Sequence, residues 1–214
     1  MENIIDSEIS AESKETRENI GSRIFWINKL RGLSECSYIQ FYSNEINNLS
    51  GKGVCNQILH EQVSISLFTK CKDSDIAIFI YLSACLKILI KKYNSVNDIT
   101  LVTPPACNFR INDRNEQVLI RSDVHNDHSF RELLSVVKKN ILEAYQNQNF
   151  DIKTLFRDSL LEKGDFSINK SVGCSFENLH KQSDIKSDLY FRFRRDNNSL
   201  SIVKGKMTHF FVLN

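Results

Sequence analysis

The chain of 214 residues contains only two prolines, adjacent at Pro104 and Pro105, and seven glycines. Ordinary proline usage of about 5% would give roughly eleven. It also lacks an excess of charge. With 28 Lys+Arg against 26 Asp+Glu the net charge is +2, which gives no reason to expect nucleic acid or another polyanion as partner. No stretch reaches the ~20 apolar residues of a membrane span, and the start, Met1-Glu2-Asn3-Ile4-Ile5-Asp6, has neither a basic nor an apolar leader region. The six cysteines (Cys36, Cys55, Cys71, Cys85, Cys107, Cys174) form no C-x-x-C pair. They read as free thiols of a reducing cytosol, too widely spaced for a structural zinc site. No G-x-S-x-G, P-loop or dinucleotide fingerprint occurs, and no internal repeat. What is present is a globular composition: 41% hydrophobic, 25% charged and fourteen Phe, enough for a real core and against disorder. The length suits one ordinary domain or two small ones.

Residues 1–20 carry Glu2, Asp6, Glu8, Glu12, Glu15 and Glu18 with few large apolar groups, and are expected to form a flexible N-terminal arm. Ile24–Leu30 should end a helix at Gly32. Cys36–Tyr42 is strand-like, residues 43–53 are a polar loop, and Val54–Leu59 is again strand-like. A short helix over Val63–Cys71 precedes a start signal at Asp73 or Ser74. The long helix from Ile76 to about Tyr93 is apolar on most faces and should be central. Asn97–Thr103 reads as a strand stopped by the two prolines, which cannot donate to a ladder. Gln117–Ser122 is a short strand. Ser129-Phe130-Arg131-Glu132 spells a capping box, followed by a stripe of Phe130, Leu133, Leu134, Val137, Ile141 and Tyr145. A helix over about Ile152–Leu161, a strand at Ser171–Phe176, and a hairpin of Ser187–Arg194 and Leu200–Lys206 around Asp196-Asn197-Asn198 complete the reading.

Six stretches, in order, resemble the C-terminal half of a condensation domain of non-ribosomal peptide synthetases. Phe25-Trp26 through Gly32 resembles "YW-x-x-x-L-x-G". Asn97-Asp98-Ile99 to Pro104, after the long helix, resembles the "DI" turn and "x-V-G-TP" strand. Val118–Asp123 resembles the end of "IGxFVNTxxLR", with Ile111, Asn112 and Arg114 marking its eroded start. Ser129–Leu134 matches "SFRELL". Ala144–Phe150 resembles "AYxHQDxPFE", with Asn147 in place of the His. Val172–Asn178 resembles "PLFQVMFNxxN". The resemblance spans about residues 25–178. It implies an α/β (α+β) fold: a single chloramphenicol-acetyltransferase-like lobe with a mixed β-sheet covered by helices, occupying residues 21–214. The family's catalytic HHxxxDG signature belongs to the other lobe and has no counterpart here. Met207–Asn214 also stops short of the family's closing helix. The chain therefore reads as a truncated half domain.

Within that frame no catalytic, cofactor or metal residue is assigned. His180-Lys181-Gln182-Ser183-Asp184 spells H-x-x-x-D, making His180 and Asp184 the weak catalytic candidates. A general base needs a positioned imidazole near neutral pKa. Here Leu179 and Ile185 flank the pair, which is expected in a polar loop between two strands. His125-Asn126-Asp127-His128 could offer two imidazoles to a metal, but a solvated turn before the Ser129 cap is the better reading. Tyr190 with Arg192, Arg194 and Arg195 could meet a phosphate or phosphopantetheine group; an outer hairpin face explains it as well. Phe25 and Trp26 read as core anchors.

The expected function is a non-catalytic half module acting as an interaction platform for a neighbouring adenylation domain or a carrier protein, in antibiotic and other secondary metabolism. The phosphopantetheine would sit on that carrier partner, so the chain needs no cofactor. One alternative is a split-enzyme half that joins an HHxxxDG-bearing N-terminal condensation lobe. Another is a trimeric acyltransferase using His180 and Asp184. The expected location is cytoplasmic, with neither membrane nor nucleic acid as partner.

Overall fold

The computed structural model describes residues 19–33, 54–109, 116–157, 171–180, 185, 187 and 189–205. The strand expected at Cys36–Tyr42 lies outside them, as does most of the N-terminal arm; the first helix, α1, is already under way over residues 19–30. Helix α1 stops where Gly32 takes φ +62°, a conformation that favours glycine. Its last carbonyls are collected by one side chain. Arg121 donates to the carbonyls of Lys29, Arg31 and Gly32 at 2.8–3.0 Å while holding Asp98 at 2.7 Å.

The other elements follow as β1 (Cys55–Ile58), α2 (Glu61–Lys70), α3 (Asp75–Asn94), β2 (Asp98–Thr103), β3 (Val118–Asp123), α4 (Phe130–Gln146), α5 (Lys153–Arg157), β4 (Val172–Phe176), β5 (Leu189–Asp196) and β6 (Ser199–Gly205). Ser74 caps α3, accepting from the Ala77 N–H. The Ser129–Glu132 capping box starts α4 with both reciprocal bonds made. The helix expected over Ile152–Leu161 is a five-residue turn, Lys153–Arg157, with the residues after it outside those described.

Among the described residues, six strands form one mixed sheet in the order β1-β6-β5-β4-β2-β3. The central pairs β2/β4 and β4/β5 are parallel; the pairs towards the two edges are antiparallel. Parallel neighbours need long crossovers and covered faces, which explains why β2 and β4 are buried along nearly their whole length. Helix α3 supplies much of the cover: Ile78, Phe79, Ile80, Leu82, Ala84, Leu86 and Ile90 are all buried. Alternation along β5 then sorts its side chains. Leu189, Phe191 and Phe193 join the core. Arg195, in phase with them, lies over the Phe68 ring at 4.2 Å and holds Asp73 at 2.7 Å. Tyr190, Arg192 and Arg194 point to the opposite face. On that face the Tyr190 ring rests on Gly173: a Cβ there would come within 2.4 Å of it.

No helix among the described residues is long and apolar enough to cross a membrane.

Candidate functional site

Among the described residues, His180 is the sequence candidate that the fold ties into a buried hydrogen-bond network. It does not sit in a polar loop, as its neighbours in sequence led one to expect. After β4 the chain turns on the Leu179 and His180 N–H groups, which both donate to the Phe176 carbonyl. His180 then bridges Ala106 beyond the end of β2. Its ring is driven inward, 5% of the residue remaining exposed, and meets Phe79 of α3 edge-on at 4.6 Å. The polar flanks misled the sequence reading because the turn reverses the chain within four residues. Asp184, its proposed mate, lies outside the described residues.

Every polar atom of the His180 ring is occupied. The Phe176 N–H donates to Nδ1 at 2.9 Å. Nδ1 therefore holds a lone pair, and the neutral ring carries its hydrogen on Nε2. The opposite tautomer could reach the Phe176 carbonyl at 3.1 Å, but would orphan that N–H. Nε2 faces the Tyr145 hydroxyl at 2.6 Å and Thr103 Oγ1 at 3.0 Å. Tyr145 and Thr103 are themselves hydrogen-bonded, and the Thr103 hydroxyl donates to the Pro104 carbonyl at 3.2 Å. A chain of donors thus runs from Phe176 through His180, Tyr145 and Thr103 to Pro104. Beside it, the Gln148 amide pairs with both backbone groups of Ala106 at 2.9 and 3.0 Å, as a neighbouring strand would. The Cys107 N–H completes the seam by donating to Leu179.

Burial sets the protonation states. It pulls the His180 pKa down to about 4, and pushes the Tyr145 hydroxyl well above its ordinary value. At neutral pH both are uncharged, so the network exchanges hydrogen bonds rather than protons. A general base needs a free lone pair facing a substrate. Here the Nδ1 lone pair is spent on the backbone and Nε2 faces two buried hydroxyls. Chemically the arrangement is a clamp that fastens the Pro104-Pro105 loop to the end of β4.

Sequence reasoning quoted Tyr145 and Gln148 within the "AYxHQD"-like stretch without a role, and did not single out Thr103. It also missed Lys87, whose only signal was a lysine inside an apolar helix. Lys87 is fully buried, and its Nζ donates to the carbonyls of Ile99 on β2 and Ile120 on β3, each at 2.7 Å. Desolvation drops its pKa to about 7, partly opposed by Cys174, Asp98 and Asp123.

The remaining candidates disperse. Trp26 is fully buried and donates from Nε1 to the Asn147 carbonyl at 2.9 Å, an anchor of α1 against the end of α4. Arg194 pairs with Glu177 and Asp196. Arg192 is half-buried, and its charge acts on the neighbouring Tyr190 hydroxyl. His60 caps α2, accepting from the Gln62 N–H. His125 and His128 flank a turn before α4. No group of three or more potential metal ligands occurs among the described residues.

With this geometry in view, the comparisons with known proteins bear on the fold. No protein-family model matches the chain. Gramicidin S synthase 2 of Brevibacillus brevis is 26% identical over 101 residues, 44% of this chain and 2% of that protein; the Aneurinibacillus migulanus protein of the same name matches equally. Among solved structures, a four-domain nonribosomal peptide synthetase bound to AMP and glycine superposes at TM-score 0.67 with 17% identity, over 89% of this chain and 18% of the other. The X-domain from teicoplanin biosynthesis superposes at 0.66 with 15% identity, over 99% and 53%. The starter condensation domain of rhizomide synthetase superposes at 0.64 with 11% identity, over 93% and 49%. The chain thus spans about half the length of the single-domain structures, and its mixed six-stranded sheet with covering helices is a condensation-domain-like fold.

Proposed function

We propose that this chain is a condensation-domain-like half module of non-ribosomal peptide synthesis that serves as a non-catalytic interaction platform for a neighbouring synthetase domain or its carrier protein. The observation that carries the reading is the closure of the His180 network. The histidine of the H-x-x-x-D sequence is buried, neutral and bonded at both nitrogens, so it supports loop geometry and has no lone pair left for an acceptor amine. No HHxxxDG occurs in the sequence to replace it. A platform role has a parallel among the fold's neighbours, since the teicoplanin X-domain was solved in complex with OxyB.

The test presents the purified chain with aminoacyl and peptidyl thioesters on carrier proteins. The expected result is no condensation, together with measurable binding to a carrier or adenylation domain by calorimetry. Turnover by the chain alone overturns the reading.

The half-length match to condensation and X-domain structures favours one second reading, a split enzyme completed by an HHxxxDG-bearing lobe. Co-expression with such a lobe would then restore peptide-bond formation to a pair inactive apart. The trimeric acyltransferase is the least supported, because it requires a catalytic His180. Acetyl transfer abolished by His180→Ala, in a variant that remains folded, would revive it.

A further inference from the structure

We infer that the free edge of β1 is a self-association surface, on which a second copy of this chain docks antiparallel about a two-fold axis at Asn56. Among the described residues the sheet ends differently at its two edges. The edge strand β3 is buried along most of its length, whereas every residue of β1 is exposed. Val54, just before β1, stays 65% exposed, and Ile58 72%. Edge strands are ordinarily guarded by a charge, a proline, a bulge or a covering element. Val54-Cys55-Asn56-Gln57-Ile58-Leu59 carries neither charge nor proline, and β1 runs against β6 in unbroken register.

That register decides which backbone groups are free. The Leu59 N–H donates to the Leu200 carbonyl at 2.9 Å, and the pairing continues as Ile58 against Ser201 down to Cys55 against Lys204. Inward and outward bonding alternate along an antiparallel strand. Leu59, Gln57 and Cys55 therefore turn their N–H and carbonyl groups to β6, while Ile58, Asn56 and Val54 turn theirs away. Side chains alternate as well. Gln57 lies opposite Ile202, which packs on the core, so Val54, Asn56 and Ile58 share the other face with Val203, the partner of Asn56.

A two-fold axis at Asn56 fits this strand to itself. Every outward N–H meets an outward carbonyl. Val54 of one copy stands opposite Ile58 of the other, and Asn56 opposite Asn56. A slip of one residue would face bonding groups with non-bonding ones. Moving the axis to Gln57 would set Ile58 against Asn56 and Val54 against His60. The nearest charges in sequence are Lys52 before the strand and Glu61 after it, so antiparallel copies bring unlike ends together. So short an edge buries less than the ~800 Å² per partner of a standard interface. The dimer is therefore weak and reversible, with a dissociation constant of roughly 10–100 µM. It stands apart from the His180 network and does not depend on the proposed platform role.

The experiment is sedimentation velocity of the intact, reduced chain over a concentration series reaching about 0.5 mM, well above that constant. The expected result is a reversible dimer. Asn56→Pro deletes one outward N–H and leaves the bonds to β6 alone, at a place where a strand tolerates proline. Ile58→Lys sets a charge against Val54 of the other copy. Each should weaken the dimer at least tenfold and leave the urea midpoint unchanged, and Ile24→Lys, at an exposed position on α1, should leave the dimer intact. In Gln57→Cys, mild oxidation should join Cys55 of one copy to the introduced thiol of the other, identified by peptide mass analysis. A chain monomeric throughout the series, as when another segment or a partner lobe takes the edge, overturns the inference. So does a dimer that survives both edge variants, or one cross-linked mainly from Cys55 to Cys55.

Discussion

Two basic side chains, His180 and Lys87, are buried among the described residues, and the fold treats them in opposite ways. At the ends of β2 and β4, His180 gives up its charge and finds a partner for each nitrogen. At the β2–β3 end of the sheet, Lys87 of α3 sits fully buried between two strand carbonyls, with a pKa held near 7 by desolvation. The neutral network gains nearly the full benefit of its bonds, because an uncharged imidazole costs little to desolvate once satisfied. The ammonium makes two short bonds and still carries a burial penalty whenever it is protonated. A polar core group stabilises when neutrality and satisfaction coincide; a buried cation braces two strands at the expense of stability.

Breaking the satisfied side should have the larger effect. His180→Ala empties the space against Phe79, leaves the Phe176 N–H without its partner and takes one of two partners from the Tyr145 hydroxyl. Cavity and lost hydrogen bonds together should cost about 4 kcal/mol, read as a shift of the urea midpoint. His180→Gln, which keeps an acceptor and a donor, should cost roughly half as much if the hydrogen bonds matter beyond the volume. Acid attacks the same point. The folded pKa of about 4 lies below the unfolded value of 6.5, so the unfolded chain binds the extra proton between them. The contribution of His180 is complete above pH 6.5 and falls away as pH drops towards 4, by about 3 kcal/mol in all. Urea melts at pH 7 and pH 4.5 should show the loss in the original chain. A phenylalanine at this position should remove most of it.

The braced side predicts the same direction of pH dependence in a more alkaline window, but the reverse sign for substitution. Lys87 titrates near pH 7 when folded and near 10.5 when unfolded, so the unfolded chain again holds the extra proton, now in the alkaline window. Stability should therefore rise from pH 7 towards 9, by at most about 1.4 kcal/mol per unit. Above 9 the Cys174 thiol, pushed up to about 12 by burial, begins to oppose the gain. Lys87→Met keeps the length of the side chain and removes the charge. It should be neutral to stabilising by about 1–3 kcal/mol at pH 6, and the rise between pH 7 and 9 should vanish. A variant that instead unfolds would mean that the two carbonyl bonds outweigh the penalty.

How much of this was legible follows from what each feature depends on. Helix α4, its capping box and the hairpin of β5 and β6 were read from the sequence because local signals fix them: a cap three residues from its glutamate, a stripe, a turn. The condensation-like fold was read from six short stretches in order, and the sheet bears it out. The His180 network was not legible, because its members lie at positions 103, 145, 176 and 180 and meet only through the bridge between Ala106 and His180. Its polar neighbours in sequence argued for an exposed loop. Lys87 was hidden for the opposite reason: its neighbours are apolar, and hydrophobic pattern alone cannot tell a buried lysine from one that reaches the surface. The grouping of Arg192, Arg194 and Arg195 failed on parity, since period two sends Arg195 to the core side.

A smaller effect tests whether packing on the far face of the sheet is as tight as around His180. Gly173 of β4 supports the Tyr190 ring, and an alanine Cβ would lie 2.4 Å from Tyr190 Cδ2 and 2.8 Å from Ser187 Oγ. No φ strain is involved, so any cost is steric. If the ring is fixed, Gly173→Ala should lose about 1–3 kcal/mol. The ring has reason to be fixed: Tyr190 is buried, and its hydroxyl is bonded to Ser175. The double change Gly173→Ala with Tyr190→Leu separates the two possibilities. Recovery of most of the loss would place the clash in the ring and leave the strand itself tolerant. No recovery would mean that β4 is held from both faces, as firmly towards Tyr190 as towards the His180 clamp.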